Sequence, residues 1–215
     1  KTLKAYTRGD GEFGQISDIH FKTIPNTVLQ NFEYTYGEVI MSRKSFEKYS
    51  EDSPNARNLV AGLINSNDAS SKLKDCDYVR YGAFNTIHTT KEDLLNDLNN
   101  DQTIKVKFTK VKLEDLTDDY LINLFEQYSE DYNIDGLILE VNDLSLQTKL
   151  GKNQKGNPEY AVAYKNIAFD EVVQTTILEI EVTPSKVGNL IPVAILKPVF
   201  VNGVTIERAT LNNFS

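Results

Sequence analysis

Ile134-Asp135-Gly136-Leu137-Ile138-Leu139-Glu140-Val141-Asn142 is the stretch on which the reading of this chain turns. Leu137 to Val141 is short and apolar, which suits a buried strand. Side chains alternate along a strand, so Leu137 and Leu139 oppose Ile138 and Glu140. Asp-Gly before the strand places a carboxylate at its start, beside a residue with no side chain. Upstream, Thr117 reads as the cap of a helix with Asp118 and Asp119 at its positive end. Leu121, Leu124, Phe125 and Tyr128 line one face of that helix at i, i+3, i+4 and i+7.

Working further toward the N-terminus, Lys105 to Val111 alternates in strand fashion. Thr90 caps a helix near Lys91 to Leu98, and Asp77 to Phe84 is a strand. Pro54 opens a helix over Asn55 to Asn65, and Ser42 caps a short one through Tyr49. Phe32 to Met41 is a strand rich in aromatic and β-branched residues. Leu3 to Thr7 runs into the glycine-rich loop Thr7-Arg8-Gly9-Asp10-Gly11-Glu12-Phe13-Gly14.

Toward the C-terminus, Tyr160-Ala161-Val162-Ala163-Tyr164-Lys165 is an apolar strand ended by a lysine. The texture then changes. Glu171 to Val182 is a long strand-like run, and Ile191 to Ile206 breaks at Asn202-Gly203, a strong hairpin signal. No helix pattern follows Lys165. A boundary therefore falls near residues 166–170, dividing an α+β part, 1–168, from an all-β part, 169–215. The second part is short for an independent core and reads as incomplete.

Bulk properties narrow the class. Hydrophobic residues make up 40% and charged residues 25%, ordinary values for a soluble globular protein. No apolar run approaches the roughly 18 residues that span a bilayer, so no membrane partner is expected. The single cysteine, Cys76, excludes an internal disulfide and a multi-cysteine zinc site. A reducing interior compartment is expected. The chain starts at Lys1 without a signal-peptide pattern and reads as an excised piece. Net charge is −8, from 31 acids against 23 Lys plus Arg. That balance argues against a broad phosphate-gripping face but leaves a local basic groove open.

Several blocks carry chemistry. Arg8 lies among glycines that let backbone approach a ligand, and its guanidinium can fork two hydrogen bonds to phosphate. Tyr36-Gly37-Glu38-Val39 puts a carboxylate on a strand, and Asn55-Ala56-Arg57-Asn58 precedes Ala61-Gly62. Tyr78-Val79-Arg80-Tyr81-Gly82 offers an aromatic that can stack on a base. Each block also has an ordinary structural role open to it. Arg8 would then be an exposed residue in a tight turn, Glu38 and Asp135 solvated strand-end acids, Tyr81 a core aromatic and Lys165 a solubilising charge.

The joint order of these blocks resembles the nucleotidyltransferase domain of NAD-dependent, bacterial-type DNA ligases. The matching stretches are Thr7 to Gly11, Gly37 to Val39, Phe46 to Lys48, Arg57-Asn58, Ile134 to Gly136, Val141-Asn142 and Ala161 to Lys165. Pro192 to Ala194, Pro198-Val199 and Ala209 to Asn212 resemble the β-barrel that follows in the family. The resemblance implies an ATP-grasp-like adenylation domain with mainly antiparallel sheets, followed by a partial OB-fold. It implies that a Lys-x-Asp-Gly lysine takes adenylate from NAD, that magnesium assists, and that nicked duplex DNA is the partner. By position, Arg8 and Lys165 would face phosphate, Glu38 the ribose and Tyr81 the adenine. Asp135 would sit by phosphate and metal, and Arg57 would hold the nucleotide or the nicked strand.

Departures from the family are equally definite. Lys-x-Asp-Gly does not occur in residues 1–215, and Lys1 and Lys4 lack the Asp-Gly context. The nucleophile is therefore expected in an upstream segment or in a second chain, and this chain alone is expected to be inactive. Glu140 stands where the family has a nucleotide-facing lysine. If its carboxylate faces the cleft, Glu140→Lys is expected to tighten AMP or NAD binding by about 1 kcal/mol or more for a partly buried contact. Gln127-Tyr128 stands where an arginine is usual, and Val182 to Gly188 loses an arginine that Lys186 partly replaces. Asn212 replaces a histidine. Two readings follow: part of a divergent active ligase, for instance from a phage or virus, or an inactive scaffold on the ligase fold.

Overall fold

A computed structural model describes residues 4–9, 13–25, 32–154, 156–165, 172–184, 188, 190–201 and 204–211. The chain divides into two compact units, Lys1–Asn166 and Ile167–Ser215.

The first unit mixes helices with two separate two-stranded antiparallel sheets. Its elements in order are α1 (Asp18–Phe21), β1 (Thr35–Ile40), α2 (Arg43–Phe46), α3 (Ala56–Asn65), β2 (Asp77–Ala83), α4 (Lys91–Asn100), α5 (Asp118–Tyr128), β3 (Leu137–Glu140), α6 (Leu144–Leu150) and β4 (Ala161–Tyr164). β1 pairs with β2 and β3 with β4. The helices begin where side-chain acceptors sit. Ser42, Asn55, Thr90, Thr117 and Asp143 each accept a hydrogen bond from a first-turn N–H of α2, α3, α4, α5 and α6 respectively. Each such cap is worth roughly 0.5–2 kcal/mol.

Two apolar clusters hold these elements. Ala56, Leu59, Val60 and Leu63 of α3 pack with Ile24, Met41, Leu73 and Cys76. Burial pushes the Cys76 thiol up to about 12, so it serves as a small hydrophobe. Leu94, Leu95 and Leu98 of α4 pack with Phe32, Ala83, Val106, Phe108 and Leu144. Arg80 of β2 is wholly buried, and its Nη2 donates to the carbonyl of Asp101, the C-terminal cap residue of α4. A cation at that end of a helix meets its unsatisfied carbonyls. Gln102 completes the seam: its Oε1 accepts from Arg80 N at 2.8 Å and its Nε2 donates to Arg80 O at 3.1 Å.

The start of α4 is tied to the end of β3. Asn142 O accepts from Lys91 N at 2.7 Å, and Asn142 Oδ1 accepts from Glu92 N at 2.9 Å. Leu144 N donates to Thr89 O at 3.0 Å, and Thr90 bridges Asp143. Two donors of the helix's first turn, which have no partner within the helix, are satisfied in this way.

The structure departs from the sequence reading in several places. Lys105 to Val111 forms no strand. Its alternation is real, because Val106 and Phe108 face α4, but the side-chain amide of Asn99 takes both the N–H and the C=O of Val106 in place of a ladder. Of the Leu3 to Thr7 strand, the described part makes only a bridge, Tyr6 with Ile16, and Leu3 itself lies outside the described residues. Helix α6 was not anticipated, since its seven residues are too few for a periodic apolar face.

In the second unit, β5 (Ile177–Pro184), β6 (Leu190–Val201) and β7 (Val204–Thr210) form one antiparallel sheet in that order. The expected run over Glu171 to Val182 starts later as a ladder, and Glu171 lies outside the described residues. Asn202-Gly203, Lys186 and Asn212 also lie outside them. Pro198 sits where the β6–β7 register shifts, between Ile195 and Val199, as expected of a residue with no N–H to give a ladder. No barrel closes among the described residues.

Asn142→Ala is expected to lower stability by about 1 kcal/mol, because a first-turn N–H of α4 loses its acceptor. Asn142→Asp, which keeps the acceptor, should lose less. Thermal or urea unfolding of the two variants reads the difference.

Candidate functional site

Asp135 lies just before β3 and Lys165 just after β4, and the ladder pairs Leu137 with Tyr164. Antiparallel register therefore brings the two to the same end of the sheet. Gly136 makes this possible: a Cβ there would stand 2.6 Å from the Tyr164 carbonyl oxygen and 3.1 Å from Lys165 Cγ. Arg57, the second residue of α3, reaches the same carboxylate. Arg57 Nη1 and Lys165 Nζ lie 3.2 and 3.4 Å from Asp135 Oδ2. All three side chains are more than 60% exposed, so the cluster adds little to stability and is open to a ligand. Burial pushes the Asp135 carboxyl up, but hydrogen bonds from Arg57 and Lys165 outweigh it and hold the group below its ordinary value. Two cations against one carboxylate leave a net positive charge suited to phosphate.

Arg8, Glu38 and Tyr81 form a second neighbourhood. The Arg8 loop is closed by Thr7 N donating to Gln15 O at 2.9 Å and Gln15 N donating to Thr7 Oγ1 at 3.0 Å. Gly9, with φ of +56°, and Gly14 sit so tightly that added Cβ atoms would meet Phe13 and Thr7 carbonyl oxygens. Arg8 and Thr7 line an open cavity of about 640 Å³, with Ile64 and Asn65 at the end of α3. Tyr81 falls at a bulge, since Tyr36 pairs with Gly82 and Gly37 with Arg80. The bulge turns its ring outward, 40% exposed, which excludes the core-aromatic role. Burial raises the Tyr81 hydroxyl first, the charges of Glu38 and Tyr36 raise it further, and Arg8 lowers it. Tyr36 meets the Tyr81 ring edge-on at 5.6 Å.

Glu140 is the last residue of β3, and its charge reaches Tyr36, the ring that meets Tyr81. Ile138, on its face of β3, is exposed and Leu137 on the other is buried, as alternation requires. The carboxylate is not unpaired: Lys91 Nζ lies 3.0 Å from Glu140 Oε1, with the two side chains 11% and 24% exposed. Sequence reading missed Lys91, whose signal was its place at the start of a helix capped by Thr90. Tyr128 hydrogen-bonds to Thr109 at 2.9 Å, and Gln127 O accepts from Lys107 Nζ at 3.1 Å, both structural roles.

No group of three His, Cys, Asp or Glu able to hold a metal occurs among the described residues. Asp135 by itself, already paired with two cations, does not fit a magnesium ion held by protein groups. Such an ion would need the phosphates of a bound substrate to complete its shell. No helix among the described residues is long and apolar enough to cross a membrane.

Comparison with known proteins adds to this geometry. The NAD-dependent DNA ligase adenylation domain family matches residues 1–169, and the NAD-dependent DNA ligase OB-fold domain family matches residues 174–215. A DNA ligase of Ehrlichia canis (strain Jake) is 34% identical over 235 residues, covering 99% of this chain and 32% of that protein. A DNA ligase of Clostridium botulinum (strain Alaska E43 / Type E3) is 34% identical over 228 residues, covering 96% and 33%. One of Koribacter versatilis (strain Ellin345) is 30% identical over 238 residues, covering 97% and 34%. The chain spans about a third of the length of the curated relatives it matches.

The Asp135 carboxyl is expected to titrate below 3.8. With a lowered value in the folded state, its attraction for Arg57 and Lys165 is complete above about pH 4 and is lost as the pH falls through that lowered value. Carbon-detected NMR titration measures the midpoint, and Arg57→Met or Lys165→Met should raise it.

Proposed function

This chain belongs to the NAD-dependent DNA ligase family, and on that premise we propose that it forms the nucleotide-holding core of an enzyme that seals nicks in duplex DNA. Residues 1–168 would be the adenylation domain, and residues 169–215 the N-terminal part of the OB-fold domain. The observation that carries this reading is the exposed Arg57–Asp135–Lys165 cluster, two cations converging on one carboxylate oxygen. Without substrate, Asp135 keeps the cations in place. When an adenylyl phosphate arrives, Lys165 and Arg57 donate to its oxygens and offset the charge that builds up during transfer. Arg8 supplies a further phosphate-facing fork from its glycine loop. Glu38 accepts from ribose hydroxyls, and the outward ring of Tyr81 stacks on adenine.

The covalent chemistry of the family needs a lysine nucleophile in Lys-x-Asp-Gly, which these 215 residues do not contain. The lysine nitrogen bonds to the adenylyl phosphorus of NAD as the bond to nicotinamide mononucleotide breaks. The adenylate then passes to the 5′-phosphate of the nick, and the adjacent 3′-hydroxyl displaces AMP. We place that lysine in an upstream segment or on a second chain. Magnesium would accompany the phosphates rather than a protein cage. Nick sealing of this kind serves DNA replication and repair. The scaffold reading rests on Glu140 and Tyr128 at positions where the family has basic residues; Lys91 pairs with Glu140 and offsets its charge.

The 215-residue chain alone is expected to form no covalent AMP adduct with labelled NAD on denaturing electrophoresis. The complete ligase should form one, and Lys165→Ala should slow its formation by about 10²–10³-fold. A labelled band from the isolated chain, abolished by substituting Lys1 or Lys4, would overturn the placement of the nucleophile.

A further inference from the structure

Ser17 and His20 are buried polar residues, at 1% and 4% exposure, and they stand at the foot of the Arg8 loop. The arms of the loop are joined there: Ser17 N donates to Ala5 O at 2.8 Å, and Ala5 N donates to Asp18 Oδ1 at 2.7 Å. α1 follows at once and carries His20.

The His20 ring ties this foot to α3. Its Nε2 lies 3.0 Å from the carbonyl oxygen of Ser66, the C-terminal cap residue of α3. A carbonyl only accepts, so Nε2 carries the proton. In the neutral ring Nδ1 is then the acceptor, and Ser17 Oγ, 3.2 Å away, donates to it. Both ring nitrogens are therefore used, and both bonds are internal.

The other end of α3 carries Arg57, which reaches Asp135. At a rise of about 1.5 Å per residue, Arg57 and Ser66 stand about 13 Å apart along the helix. α3 is thus a strut, with a cation at its start and the Arg8 loop pinned to its end. The cavity between Arg8, Ile64 and Asn65 lies at the pinned end. Ile24 also packs on α3, but apolar contact has no preferred direction. A hydrogen bond fixes a distance and an angle.

Resting on the phosphate-facing reading of Arg8 and Arg57 above, we propose that His20 is a positioning residue for the adenylate-transfer reaction. Through Ser17 and Ser66 it sets the separation of Arg8 from Arg57, and so where the two guanidinium groups meet the phosphates. His20 itself touches no substrate and acts through Arg8.

The test follows covalent AMP adduct formation from NAD in the complete ligase. His20→Leu, which removes both bonds, is expected to lower kcat by about tenfold and to leave the KM for NAD within about twofold. His20→Gln keeps a donor for the Ser66 carbonyl and should stay within about threefold of the wild type. Arg8→Met should slow the step by about 10²-fold, and adding His20→Leu to it should cost less than about twofold more. If His20→Leu does not fold, Ser17→Ala takes its place in the same cycle, with an expected loss of about threefold that disappears beside Arg8→Met. A folded His20→Leu at the wild-type rate, or an equal loss with and without Arg8, overturns the positioning role and leaves the ligase reading intact. Arg8→Met at the wild-type rate overturns the phosphate-facing reading of Arg8, and the role of His20 with it.

Discussion

The backbone junction between Asn142 and the first turn of α4 is the constraint on which the first unit depends. One residue at the end of β3 uses its carbonyl and its side-chain oxygen to receive Lys91 N and Glu92 N. This sets the height of α4 against the sheet, and with it the docking of Leu94, Leu95 and Leu98 on Ala83 and Val106. At the far end of the same helix, Arg80 and Gln102 close the seam to β2. A helix held at both ends by polar contacts has little freedom to slide, and its first side chain is delivered to a defined place.

Electrostatics in the unit follow from that placement. The chain as a whole is acidic, at −8. Yet Asp135 is outnumbered by cations, and Glu140 is matched by one. The first arrangement is exposed and carries net positive charge, which suits a multiply charged ligand that arrives from water. The second is largely shielded and neutral, which suits a contact that holds β3 to the start of α4. Net charge, being a sum, could not distinguish these two settings.

Glycines make the close approaches. Gly136 lets β3 pass the Tyr164 carbonyl, so that Asp135 and Lys165 meet. Gly82 makes room for the Tyr36 ring, and the bulge beside it turns Tyr81 outward. In each case the small residue lies next to the one with chemical content, because side-chain reach near a ligand needs backbone that can come close.

Much of this was legible in the linear chain. The caps Ser42, Thr90 and Thr117 and the apolar face of α5 mark local helices, because both the acceptor and the periodic face lie within a few residues of the turns they stabilise. The ordered blocks from Thr7 to Lys165 identified the family for the same reason, since each block is contiguous. The strand read at Lys105 to Val111 failed because alternation reports a buried face but cannot say whether a partner strand or an Asn99 side chain takes the backbone bonds. Glu140 read as an anion in place of the family's lysine, and its partner was not legible because that cation stands on a distant helix. Sequence by itself determined the capped helices α2, α4 and α5, the family and the presence of the charged residues. Tertiary structure alone decided which charges meet, because ion pairing depends on separation in space, and only the docking of α4 on β3 brings Lys91 to within 3.0 Å of Glu140.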